Sequence, residues 1–213
     1  MSEQKLEVGT RKLTAILSAD VFGYSRLMST DEESCFRRLT AYRETIFKLI
    51  RENHGRVANT AGDAVLAEFT SAKDAASCAI AIQKTLAESN SGVSPGRQMH
   101  FRIGLNLGDV YEQQGDLFGD GVNIAARIQS LADPGTVFLS ASVFDQLANK
   151  SDIPVEYVGE FHVKNIAKPV KVYRISGAAI GNPQVASTVH YVAQEQDNSA
   201  KIVIGILPFD NLK

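Results

Sequence analysis

Arg56-Val57-Ala58-Asn59-Thr60-Ala61-Gly62-Asp63-Ala64-Val65-Leu66-Ala67-Glu68-Phe69 reads as two strands folded back through a tight Ala-Gly-Asp corner. Gly62 gives the corner backbone freedom that other residues lack. Val57, Thr60, Val65 and Phe69 on either side suit a pleated hairpin. The apex carries a carboxylate, Asp63, which is therefore held on a rigid element. A second carboxylate, Asp20, closes the run Leu13-Thr14-Ala15-Ile16-Leu17-Ser18-Ala19, which reads as a buried strand followed by the turn Val21-Phe22-Gly23-Tyr24-Ser25. A carboxylate beside a core is costly unless it is hydrogen-bonded or bound to a cation. The sequence between the two aspartates fits a strand, helix and hairpin that bring them together, so Asp20 and Asp63 form a candidate Mg²⁺ pair. Taken singly, each is equally at home as a turn or cap residue.

The bulk composition limits the alternatives. With 213 residues, 44% of them hydrophobic, the chain can build one sizeable domain plus an appendage. Lys and Arg number 22 against 24 Asp and Glu, so there is no basic footprint of the kind nucleic-acid binders show. No run approaches the roughly 20 apolar residues of a membrane helix, and Met1-Ser2-Glu3-Gln4-Lys5 lacks the apolar stretch of a signal peptide. A cytoplasmic protein is expected. Cys35 and Cys78 fall within helical patterns and are too few for a disulfide framework or a zinc site.

Residues 1–10 are polar, and a first strand is expected from about Arg11 to Ser18. Thr30-Asp31-Glu32-Glu33 has capping-box spacing, with Thr30 as the cap. Phe36, Leu39, Ile46, Phe47 and Ile50 then recur at helical intervals, and His54-Gly55 stops the helix. After the hairpin, Ser71 opens a helix carrying Ala75, Cys78, Ala79, Ile82 and Leu86. Met99 to Leu105 alternates as a half-buried strand does. The order is β-α-β-β-α-β, an α+β ferredoxin-like core with helices on one face of an antiparallel sheet. The glycines and acids of Gly108 to Gly121 predict turns. A short helix capped at Asp120 then places Asn123 and Arg127 one turn apart on one face. Further strands are expected at 136–140, 155–163 and 169–175, the last two joined by Lys164-Asn165-Ile166-Ala167-Lys168. A polar linker covers 176–200. The strand-like Lys201 to Asp210 implies that the natural chain continues into another domain.

Ser18-Ala19-Asp20-Val21-Phe22-Gly23-Tyr24-Ser25, Gly62-Asp63 and Val122-Asn123-Ile124-Ala125-Ala126-Arg127, in this order, resemble the class III nucleotidyl cyclases. The resemblance covers about residues 11–175. It implies a catalytic domain with a ferredoxin-like core and extra C-terminal strands, acting as an adenylate cyclase that turns ATP into 3′,5′-cyclic AMP and pyrophosphate. It implies two Mg²⁺ or Mn²⁺ ions per site on Asp20 and Asp63, aided by the Val21 carbonyl, with the amides of Phe22, Gly23 and Tyr24 cradling phosphates. Asn123 and Arg127 would stabilise the transition state, and Lys164, or else Lys168, would meet the triphosphate. In the family the metal aspartates and the Asn/Arg pair come from different protomers, so a homodimer is implied.

The base-reading residues depart from the family pattern. Typical adenylyl cyclases carry a lysine where this chain has Asn59, while Asp116 stands where the second purine-reading residue lies. GTP as substrate and a catalytically silent, nucleotide-binding regulatory module are the alternatives. A ferredoxin-like interaction domain without chemistry is a third, since fold alone does not fix function.

Overall fold

The computed structural model describes residues 9–148, 151–162 and 169–181. Eight strands form one sheet: β1 (Thr10–Val21), β2 (Gly55–Ala61), β3 (Ala64–Phe69), β4 (Phe101–Gln113), β5 (Asp116–Phe118), β6 (Val137–Ser140), β7 (Val155–Phe161) and β8 (Val170–Ile175). The order across it is β2-β3-β1-β4-β6-β8-β7, with β5 pairing only β4. All pairings are antiparallel except β4 with β6. Among the described residues five α-helices complete the fold: α1 (Tyr24–Thr30), α2 (Glu32–Glu52), α3 (Ala72–Asn90), α4 (Asp120–Leu131) and α5 (Ala141–Leu147).

Alternation along β1 divides the molecule. Ala15, Leu17, Ala19 and Val21 point to one face and join the main core with Leu39, Ile46 and Ile50 of α2, Ile82 and Leu86 of α3, and Val143 and Leu147 of α5. Ile16 points to the other face and packs with Val110, Leu117 and Ala125 of α4. The two helices of the βαββαβ core, α2 and α3, share one face as expected, and among the described residues the later helix α4 lies alone across the back of β4. Gly104 and Gly121 explain the placement. A Cβ on Gly104 would stand 2.3 Å from Gln129 N and 2.4 Å from Ala125 O, so the helix backbone rests directly on the strand. Gly104→Ala therefore forces backbone to move, and overpacking of this kind costs about 1–3 kcal/mol. A urea melt checks this, and a wild-type midpoint would contradict the close contact.

Several sequence expectations shift. The first strand continues through Asp20 to Val21, and the expected turn is confined to Phe22 and Gly23, with Tyr24 and Ser25 already in α1. Thr30 does not cap α2. Asp31 does, accepting from Ser34 N at 3.1 Å, since its side chain starts one residue closer to the amides that need a partner. The stretch 108–121 is not all turns: β4 runs unbroken to Gln113, and Val110 and Leu117 are buried. Asp120 is the first residue of α4 rather than its cap, which is Gly119 at φ 117°. Ser71 caps α3 as expected, accepting from Asp74 N. Both cysteines are buried, and burial pushes the Cys78 thiol up to about 12. Ile180, two per cent exposed, still packs on the main core. The rest of the expected linker and the tail from 201 lie outside the described residues.

Candidate active site

The hairpin corner is as the sequence predicts: β2 and β3 are joined at Gly62, φ 57°, and Asp63. Two contacts fix it. Arg43 of α2 donates to the Gly62 carbonyl, and Val21 N donates to Asp63 Oδ2 at 2.8 Å. The second contact places Asp63 against the peptide that joins Asp20 to Val21, although 42 residues separate Val21 from Asp63.

Asp20 is held differently. It lies opposite Arg102 in the β1–β4 register, and the guanidinium takes both its oxygens, Nε to Oδ1 at 3.0 Å and Nη2 to Oδ2 at 2.7 Å. The same group donates to Ser130 O at the end of α4 and lies 5.5 Å from the centroid of the Phe22 ring, a cation–π distance. Arg102, Arg43 and Arg56 (below) are the side chains that the sequence reading missed.

The donor set fits a hard divalent cation. Among the described residues no group of three or more His, Cys, Asp and Glu side chains is placed to hold a metal. Two carboxylates and a main-chain carbonyl suit Mg²⁺ or Mn²⁺, which takes one or two carboxylates and completes its shell with phosphate oxygens and water. Asp63 Oδ1 has no protein partner among the described residues. A cation at Asp20 would compete with Arg102 for the same two oxygens.

The turn after Asp20 needs one correction. Phe22 N donates to His100 O at 2.9 Å, so it cannot also cradle a phosphate. Gly23, in the left-handed region at φ 67°, and Tyr24 are the members of that trio whose amides remain.

Asn123 and Arg127 are both exposed on the outer side of α4, and neither side chain has a partner among the described residues. Asn59 Nδ2 donates to Asp116 Oδ2 at 2.6 Å, and Leu117 N donates to Asp116 Oδ1 at 2.8 Å. The structure thus brings together the two residues assigned to the base. Lys164 and Lys168 lie outside the described residues. A cavity of about 790 Å³ opens at the start of α4, lined in part by Asn106, Asp109, Asp120 and Ser142; neither Asp20 nor Asp63 lines it.

The model of the Adenylate and Guanylate cyclase catalytic domain family matches residues 7–177. The chain belongs to the class III nucleotide cyclases. Within that family it is similar to "Putative adenylate cyclase 3" of Rhizobium meliloti, at 42% identity over 95% of this chain and 34% of that protein. It is also similar to an adenylate cyclase of Streptomyces coelicolor, at 30% identity over 70% of this chain and 37% of that one. The chain spans about a third of the length of these curated relatives. The crystal structure of an adenylate/guanylate cyclase/hydrolase from Silicibacter pomeroyi shares the nucleotide cyclase fold. Its TM-score is 0.74, with 36% identity, covering 78% of this chain and 98% of that one. Residues 7–177 hold every candidate site residue named above.

Proposed function

We propose that this domain is an adenylate cyclase, converting ATP to 3′,5′-cyclic AMP and pyrophosphate at the two sites of a homodimer. Each site would use Asp20 and Asp63 of one protomer with Asn123 and Arg127 of the other. The observation that carries this is the Val21 N to Asp63 Oδ2 bond, which holds the hairpin carboxylate against the peptide that follows Asp20. The outward, unpartnered Asn123 and Arg127 support sharing, since they are available to a second chain and isologous dimers are the commonest assembly.

Two Mg²⁺ or Mn²⁺ ions bound there would lower the pKa of the ribose 3′-hydroxyl and neutralise charge on the leaving pyrophosphate. The 3′-oxygen attacks the α-phosphorus, its bond to the bridging oxygen of the β-phosphate breaks, and the hydroxyl proton leaves to solvent. Asp63 is kept pointing into the site by the Val21 amide. Asp20 is released when Arg102 gives up its two hydrogen bonds. Asn123 aligns the ribose, and Arg127 spreads its guanidinium charge over the phosphoryl oxygens. The amides of Gly23 and Tyr24, with Lys164 or Lys168, complete the phosphate contacts.

The Asn59–Asp116 bond favours ATP. Asn59 spends a donor on Asp116, so its Oδ1 and the spare lone pairs of Asp116 face the base as acceptors. Adenine offers an amino group at that edge where guanine offers a carbonyl. A second reading, GTP as substrate, rests on Asn59 itself, whose amide can also donate where a lysine would fix the choice. No helix among the described residues is long and apolar enough to cross a membrane, and a cytoplasmic location is part of the proposal, as is a catalytic unit of 11–175 followed by a linker and a further domain.

Sharing has its own test. Asp63→Ala and Arg127→Ala subunits, each inactive alone, should recover about one working site per mixed dimer, read as cyclic AMP formed by the mixture. A mixture as inactive as its parts would contradict a shared site.

A further inference from the structure

On the α4 face of the sheet four adjacent strands contribute charged side chains of alternating sign to one cluster: Arg56 on β2, Glu68 on β3, Lys12 on β1 and Glu112 on β4. The contacts close into a ring. Arg56 Nε reaches Glu68 Oε1 at 2.7 Å and Arg56 Nη2 reaches Glu112 Oε1 at 3.0 Å. Lys12 Nζ reaches Glu68 Oε2 at 2.8 Å and Glu112 Oε2 at 2.5 Å. The Glu112 carboxyl titrates below the usual range, chiefly through the Lys12 hydrogen bond. Glu68 is only nine per cent exposed, so its position depends on both cations.

Arg56 has one arm left. Its Nη1 donates to Gly115 O at 2.5 Å, in the turn between β4 and β5, next to Asp116. A bulge in β2 between Val57 and Asn59 shifts the register. Arg56 stands opposite Glu68, and Asn59 stands opposite Leu66, where an unbroken register would set it opposite Val65. Bulges re-aim side chains in this way. The β4–β5 hairpin is thereby tied to β2 at two points, Arg56 to Gly115 and Asn59 to Asp116.

We propose that Arg56 is a positioning residue for nucleotide selection: fixed by Glu68 and Glu112, it holds the Gly115 turn and so sets the geometry of the Asn59–Asp116 pair against the purine. This rests on the reading that Asn59 and Asp116 contact the base. A lysine cannot replace Arg56, because a single ammonium lacks the planar fork that reaches two carboxylates and a carbonyl at once.

The test compares the full chain with Arg56→Lys, Arg56→Met, Asp116→Ala and the Arg56→Met/Asp116→Ala double variant, measuring kcat and KM with ATP and with GTP, and the melting temperature. Arg56→Met is expected to raise the KM for the preferred nucleotide roughly tenfold, to narrow the ATP to GTP discrimination, and to leave kcat within about twofold. Arg56→Lys is expected to show the same KM change with a melting temperature close to wild type, which separates positioning from stability. The double variant should be no worse in KM than Asp116→Ala alone, because both act on one contact. Independent, multiplying effects would overturn the proposal, as would an Arg56→Met loss confined to kcat or to melting temperature. If Asp116→Ala leaves both KM and discrimination unchanged, the base assignment itself falls and the proposal falls with it.

Discussion

Replacing Asp63 with asparagine is expected to lower cyclic AMP formation by about a thousandfold or more while the protein stays folded. The asparagine amide oxygen can still accept from Val21 N, the contact that measures 2.8 Å to Asp63 Oδ2, so the hairpin corner keeps its anchor. What is lost is the negative charge. Charge stabilisation through a bound cation supplies several kcal/mol in phosphoryl chemistry, and each 1.36 kcal/mol is a factor of about ten in rate. Initial rates with ATP and Mn²⁺, together with a melting curve, check this. A variant that melts normally and retains turnover within tenfold of wild type would remove Asp63 from the chemistry.

The second large effect concerns Arg102. Its fork holds both oxygens of Asp20, and both groups are about four-fifths shielded from solvent. A divalent cation that takes Asp20 competes with that fork for the same oxygens. Charge-assisted hydrogen bonds of this kind contribute about 1.5–3 kcal/mol. Arg102→Met should therefore tighten Mn²⁺ binding in the absence of nucleotide by about tenfold or more. The loss of free Mn²⁺ signal in an electron paramagnetic resonance titration measures this directly, without reference to turnover. Adding Asp20→Asn to the same protein should weaken binding again. Equal Mn²⁺ affinity in Arg102→Met and wild type would mean that Arg102 does not compete for the site.

Much of this site can be read from the chain because it is built on local signals. A glycine and an aspartate between two β-compatible runs give the corner, and an acid ending an apolar strand gives its counterpart. Asn123 and Arg127 share a helix face by spacing alone. The arginines could not be read in the same way. Arg102 meets Asp20, 82 residues earlier, only because of the β1–β4 register, and Arg56 meets Glu112 and Gly115 only because the β4–β5 hairpin folds over β2. In the sequence each is simply a charged residue in a half-exposed strand. Gly121 misled for a related reason. It is small so that α4 can touch the sheet backbone, and a glycine required by a close neighbour looks the same as one required by a turn. The cap of α2 is one residue beyond the expected Thr30, at Asp31, which accepts from Ser34 N.

The most direct test of the account is to incubate the full chain with ATP and Mn²⁺ or Mg²⁺, identify the products by mass, and repeat the assay with Asp20→Asn. The account predicts 3′,5′-cyclic AMP and pyrophosphate in equal amounts from the wild type and almost none from the variant. Cyclic AMP formed at the same rate by both proteins, or no cyclic nucleotide from either ATP or GTP with either ion, would contradict it.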